Sequence, residues 1–177
     1  MPRTVLLTIL VLSGCAPTQA PVANVKTPGV LTVHGAVATR AFEAKWATVK
    51  KAQGAQLVEI YDYAAGCADS KPFAQAEAGA RRLTLRVANS VWAAGRTLTL
   101  PNADVIASIE ERGPEGVVET KVTSGELVIV RTWSPGPLHR ATEWAQIRIA
   151  LGSAPNRIEG EADLEQCSGE NGLDFGD

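Results

Sequence analysis

The stretch Arg82-Leu83-Thr84-Leu85-Arg86-Val87 decides the fold. Leu83, Leu85 and Val87 occupy one phase, and Arg82, Thr84 and Arg86 the other. Side chains alternate between the two faces of a β-strand, whereas a helix brings residues three and four apart onto one side. A strict two-residue period with apolar chains on one phase therefore reads as a strand with one face in a core and the other in water.

The same period recurs on both sides of it. Upstream, Leu31, Val33 and Val37 alternate, and Gly35 interrupts them, which predicts a bulge or a close crossing of backbones. Phe42, Ala44 and Trp46 alternate with Glu43, Lys45 and Ala47, which places Trp46 in the core. Val58 and Ile60 form a short run before Tyr61-Asp62-Tyr63. Downstream, Leu98 and Leu100 alternate with threonines, and Val118 and Val122 flank Thr120. Residues 127–130 are apolar on both phases, as in a central strand. Ala145, Ile147, Ile149 and Leu151 alternate with polar residues, as do Ile158, Gly160, Ala162 and Leu164. Turn signals at Gly95-Arg96, Gly113-Pro114 and Pro135-Gly136-Pro137 separate these runs, and Ser124-Gly125 reads as a hairpin turn. About nine short strands at even spacing predict an all-β fold, an antiparallel β-sandwich or barrel-like sheet of Greek-key type. At most one short helix is expected, over residues 70–81, where Ser70 suits a cap and Pro72 a first turn. A loop is the alternative there, because Gly79 and the shortness disfavour a helix.

The chain has 177 residues, 45% of them hydrophobic and 20% charged, ordinary globular usage that excludes wholesale disorder. Lys and Arg number 17 against 19 Asp and Glu, for a net charge of -2. That balance excludes a nucleic-acid partner bound by neutralising phosphates. The chain contains no Gly-x-Ser-x-Gly stretch, His-Glu-x-x-His pair, phosphate loop or dinucleotide glycine pattern. No catalytic residue, cofactor or metal ligand is expected.

The first residues carry an address. Arg3 precedes a mostly apolar run from Val5 to Leu12, followed by Ser13, Gly14 and Cys15. A run this short does not span a hydrocarbon core of ~30 Å as a helix, but it fits the apolar region of a secretory signal. Leu12-Ser13-Gly14-Cys15 resembles the lipobox of bacterial lipoproteins. The resemblance implies a signal peptide over residues 1–14, lipidation (thioether diacylglycerol, then an amide-linked acyl chain such as palmitate) at Cys15, and cleavage just before it. An ordinary signal peptide with a coincidental cysteine, or a buried N-terminal strand, is the alternative. Residues 15–29 contain Pro17, Pro21 and Pro28 and no apolar period, so they read as a flexible tether to a single domain over residues 30–177 with a short acidic tail; an edge strand through Val22 to Val25 is the alternative. Ala16 stands where an Asp tends to retain such proteins at the inner membrane. The expected location is therefore the cell envelope, lipid-anchored, at the outer membrane where one exists.

With Cys15 assigned to lipid, Cys67 and Cys167 form an even pair in an oxidising compartment, and a disulfide between them is expected. It would close a loop of about 100 residues and contribute up to about 4.7 kcal/mol in the chain-entropy account. Two free thiols or a metal pair are the alternatives. Ser124-Gly125-Glu126-Leu127-Val128-Ile129, then Ile158-Glu159-Gly160-Glu161-Ala162-Asp163-Leu164 and Cys167, are similar to a class of uncharacterised β-rich bacterial lipoproteins. That resemblance implies fold and location, and a partner cysteine after an early strand, as Cys67 is here.

Two constellations carry candidate function. Trp92, Trp133 and Trp144 fall near strand ends or loops, where exposed indoles stack on sugar rings or anchor a protein partner; buried tryptophans filling the core are the alternative, and the more common case. Glu159 and Glu161 share one phase of the last strand with Asp163 and Glu165, at ~6.6 Å spacing within the range of glycosidase carboxylate pairs; a solvated strand face is the alternative, and the more common case. His34 and His139 are isolated histidines. The expected function is a cell-envelope binding or structural module whose partner is the membrane lipid plus another envelope protein or a glycan. A small envelope hydrolase using Glu159 and Glu161 is the alternative.

Two outcomes are predicted. Cys15→Ala should abolish globomycin-sensitive processing and release the protein from membranes, read by fractionation; unchanged attachment would sink the lipid assignment. Mass spectrometry of the unreduced mature protein should find Cys67 joined to Cys167, and alkylation of both thiols would refute the bridge.

Overall fold

In the computed structural model, which describes residues 29–65, 73–133 and 144–166, the deciding stretch lies in a strand at Arg81–Ala88. Leu83, Leu85 and Val87 are fully buried there. The described residues form eleven strands: β1 (His34–Val37), β2 (Arg40–Glu43), β3 (Trp46–Ala52), β4 (Ala55–Tyr61), β5 (Arg81–Ala88), β6 (Arg96–Leu100), β7 (Val105–Arg112), β8 (Val117–Val122), β9 (Gly125–Trp133), β10 (Trp144–Ser153) and β11 (Asn156–Gln166). The fold is all-β. The described part of residues 70–81 holds only a 3₁₀ turn at Phe73–Gln75, and β5 already begins at Arg81.

The strands join in one sheet, ordered β6-β9-β10-β11-β3-β4-β5-β7-β8, with β1 also on β11 and β2 on β1. The sheet curls strongly into a half-barrel. It is mixed, not wholly antiparallel as expected, because β11 pairs with β3 in parallel through Glu165 beside Thr48 and Gln166 beside Val49. The inner faces of both halves supply the core, including Phe42, Ile60, Leu83, Leu127, Ile147 and Ile158, each under 2% exposed.

Three sequence readings change. The single strand expected through Phe42 and Trp46 breaks at Ala44 and Lys45. The Ala44 N–H bonds the Val33 carbonyl beside β1, and the Lys45 N–H bonds the Tyr61 carbonyl on β4. The chain passes from one half of the sheet to the other within that dipeptide. Its phase resets, and Trp46 is half-buried while Ala47 and Val49 enter the core. Ser124-Gly125 does not join a hairpin: β8 ends against β7, whereas β9 begins between β6 and β10. Gly125 is required by proximity and conformation. Its φ is +119°, and a Cβ there would lie 2.3 Å from the Ala150 carbonyl oxygen. β7 was not foreseen, because Val105, Ala107, Ser108 and Ile109 are all buried and blur the period. The close crossing expected at Gly35 is present, with its Cβ position 2.0 Å from the Arg157 carbonyl oxygen.

The outer face of β3, β4, β5 and β7 is not simply wet. Arg82 donates from Nη1 to Glu59 Oε1 at 2.5 Å and from Nη2 to Glu110 Oε2 at 2.6 Å. Lys50 Nζ lies 2.7 Å from Glu59 Oε2, and the Thr84 hydroxyl donates to Glu110 at 2.9 Å. Phe73 of the 3₁₀ turn covers the guanidinium, whose carbon lies 4.6 Å from the ring centroid. Burial opposes the charge on Arg82. The hydrogen bond to Glu110 and the charges of Glu59 and Glu110 outweigh it, and the guanidinium is held more firmly protonated. Burial first, then the charge and hydrogen bond of Glu59, push the Tyr61 phenol well above its ordinary value, so it stays neutral and a donor.

Removing one partner of a buried pair leaves the other charge unpaired, at about 3–5 kcal/mol. Arg82→Met takes one of two cations from the buried Glu59, which keeps Lys50, and one of two partners from Glu110, which keeps Thr84, so we predict a loss of about 2 kcal/mol, below the cost of a wholly unpaired charge. Arg82→Lys should fall between the two, since one ammonium cannot bridge both carboxylates. Urea unfolding checks both; an Arg82→Met variant as stable as the parent would contradict the role of the network.

Candidate functional site

At the rim of the half-barrel, the ends of β9, β10 and β11 meet β3, β4 and the loop after β5. A pocket of about 260 Å³ opens there, lined by Trp92, Trp133, Trp144, Val49, Lys51, Gln56, Thr132, Ala145 and Gln166. The three tryptophans singled out from sequence thus converge on one cavity, and each is half-buried.

Different local devices aim them. Trp133 and Trp144 are directly opposed across the β9–β10 ladder. The register of that ladder shifts between Gln146 and Ile147, so Val130 is an extra residue on β9. One extra residue inverts the face of everything beyond it. Leu127 and Ile129 point into the core before the bulge, and Thr132, not Arg131 or Trp133, continues that phase after it. The Arg131 guanidinium carbon lies 5.6 Å from the Trp144 ring centroid, and its Nε donates to Gln146 Oε1 at 2.9 Å, which fixes the indole from one side. Trp92 sits on a tight loop after β5, with its N–H bonded to the Asn89 carbonyl, and packs against the core. Asn89 in turn is held by the Gly54 carbonyl and by the Gln56 side chain at 3.1 Å.

Three indoles give apolar faces with one N–H donor each, while Gln56, Gln166, Thr132 and Lys51 give polar edges. This mixture suits a group with flat apolar faces and hydrogen-bonding rims. The volume lies just under the ~300 Å³ at which ligand pockets usually begin, so it fits about one ring. Lys51, Gln56 and Gln166 were not foreseen: they come from β3, β4 and β11, and no local pattern in the sequence joins them.

The other candidates lie elsewhere. Glu159 is paired with Arg157 at 2.6 Å and Glu161 with Arg148 at 2.7 Å, on the exposed face of β11, and neither lines this pocket. A larger cavity of about 690 Å³ beside the 3₁₀ turn is lined by Arg40, Asp62, Tyr63, Arg81 and the backbone around Gly79. Its two arginines and Asp62 are already engaged: Arg81 binds Asp62 at 2.8 Å and the Arg40 and Ala41 carbonyls, and Arg40 binds Glu111 at 2.6 Å. His34 is exposed, with Nδ1 2.8 Å from the Thr32 carbonyl oxygen. Cys15, Cys67, Cys167 and His139 lie outside the described residues. No family model matches the chain, and no curated protein or solved structure matches it.

Proposed function

We propose that this protein is a binding module of the bacterial cell envelope, anchored by lipid at Cys15, that takes up one sugar ring of an envelope glycan in the pocket of Trp92, Trp133 and Trp144. The observation that carries the reading is the convergence of three half-buried indoles with amide, hydroxyl and ammonium side chains around a ring-sized space. A pyranose offers C–H faces to the indoles and hydroxyls to the polar rim, so both halves of the lining are used. The resemblance of Leu12-Ser13-Gly14-Cys15 to a lipobox supports the anchor, and residues 15–29 supply the tether. The hydrolase alternative gains nothing from the site: Glu159 and Glu161 are each neutralised by an arginine, and neither stands beside the pocket.

The test is titration of the full chain with the N-acetylglucosamine–N-acetylmuramic acid disaccharide of the cell wall, followed by tryptophan fluorescence and calorimetry. Saturable binding is expected, weakened about tenfold by Trp92→Ala or Trp144→Ala through the lost stacking. Glu159→Gln should leave it unchanged. No saturable binding, or binding indifferent to both tryptophan substitutions, would overturn the proposal.

A further inference from the structure

The edge strand β8 presents a surface that is independent of the tryptophan pocket. Its sequence is Val117-Val118-Glu119-Thr120-Lys121-Val122, it pairs only with β7, and all but Val122 are exposed. Three of the four exposed large apolar side chains among the described residues lie on these two strands: Ile106 at 57%, Val117 at 41% and Val118 at 63%.

The ladder fixes which backbone groups face out. The Arg112 N–H bonds the Ala80 carbonyl, and the Ala88 N–H bonds the Asp104 carbonyl, both on the β5 side of β7. Even-numbered residues of β7 therefore bond toward β5, and odd-numbered ones toward β8. Ile109 opposes Thr120 and Glu111 opposes Val118. Val118, Thr120 and Val122 thus spend their N–H and C=O groups on β7, while those of Val117, Glu119 and Lys121 point away from the sheet. An edge with free groups is a template for another strand unless its side chains forbid it.

The side chains here disfavour two pairings with an identical strand and favour one. Centred on Glu119 or on Lys121, an antiparallel twofold pairing would set like charges face to face. Centred on Thr120, it sets Glu119 opposite Lys121 twice, in the positions that exchange outward hydrogen bonds. Val118 then meets Val122 of the other copy, and its exposed side chain is covered. Neither Glu119 nor Lys121 has an ion-pair partner among the described residues. We propose that two copies of this chain associate through antiparallel pairing of β8 with β8, in the register centred on Thr120, which continues the sheet across a twofold axis.

Cross-linking and sedimentation of the full chain test this. At the centre, Thr120 opposes its own copy as a non-hydrogen-bonded pair with Cα atoms ~4.5 Å apart, within disulfide reach. Thr120→Cys should therefore give an oxidised dimer that the parent chain lacks, and Val118→Cys alone should not. Glu119→Lys should weaken association in sedimentation velocity about tenfold or more, since two attractive pairs become repulsive. Glu119→Lys with Lys121→Glu should restore it. Thermal melts of each variant confirm that the exposed strand tolerates the changes. A parent chain monomeric at every concentration, equal cross-linking by Val118→Cys, or failure of the double exchange to restore association would overturn the proposal.

Discussion

Two residue pairs make the strand pairing that joins the halves of the sheet: Glu165 beside Thr48, and Gln166 beside Val49. They are the parallel seam between a half built from β6, β9, β10 and β11 and a half built from β3, β4, β5, β7 and β8. The Thr48 hydroxyl reinforces it by donating to the Glu165 carbonyl at 2.8 Å. β11 can serve the seam because its edge is divided. Its early residues pair with β1, and its last two turn to β3. The core is enclosed when these halves face each other, with Leu83 buried on one side and Ile147 on the other, and the seam shares that task with Arg81 of β5 on the Arg40 and Ala41 carbonyls of β2 and with Arg40 on Glu111 of β7. Val49 and Gln166 of the seam also line the tryptophan pocket. The geometry of the pocket is therefore tied to the integrity of the sheet.

The all-β fold was legible wherever one face of a strand meets core and the other meets water. Leu83, Leu85 and Val87 show it, and so do Leu98 with Leu100 and the long alternation of β11. Legibility failed where both faces are covered, as at Ala107, Ser108 and Ile109 of β7. It failed again where the chain changes partners in mid-run, as at Ala44 and Lys45, because alternation continues across a crossing that local residues do not announce. Arg82 misled in a subtler way. Its phase was read correctly as outward, but Phe73 and the carboxylates of Glu59 and Glu110 cover it.

The site was half legible. Trp92, Trp133 and Trp144 stood out because indoles near strand ends or loops can stack on a ring or anchor a partner. Their convergence depends on Val130, whose insertion turns Trp133 away from the phase of Ile129. No local pattern marks such a residue, since valine fits a regular strand equally well. The polar half of the pocket comes from distant β3, β4 and β11, and only the register brings it there.

The seam also sets an order of events. Thr48 and Val49 leave the ribosome long before Glu165 and Gln166, so β3 waits with one edge open while most of the chain is made. Neither the pocket nor the continuous sheet exists until β11 arrives. A chain shortened by proteolysis within β11 would lose the enclosure of its core and its tryptophan pocket together. Such fragments would be open to further proteolysis and would not persist as folded but shortened domains.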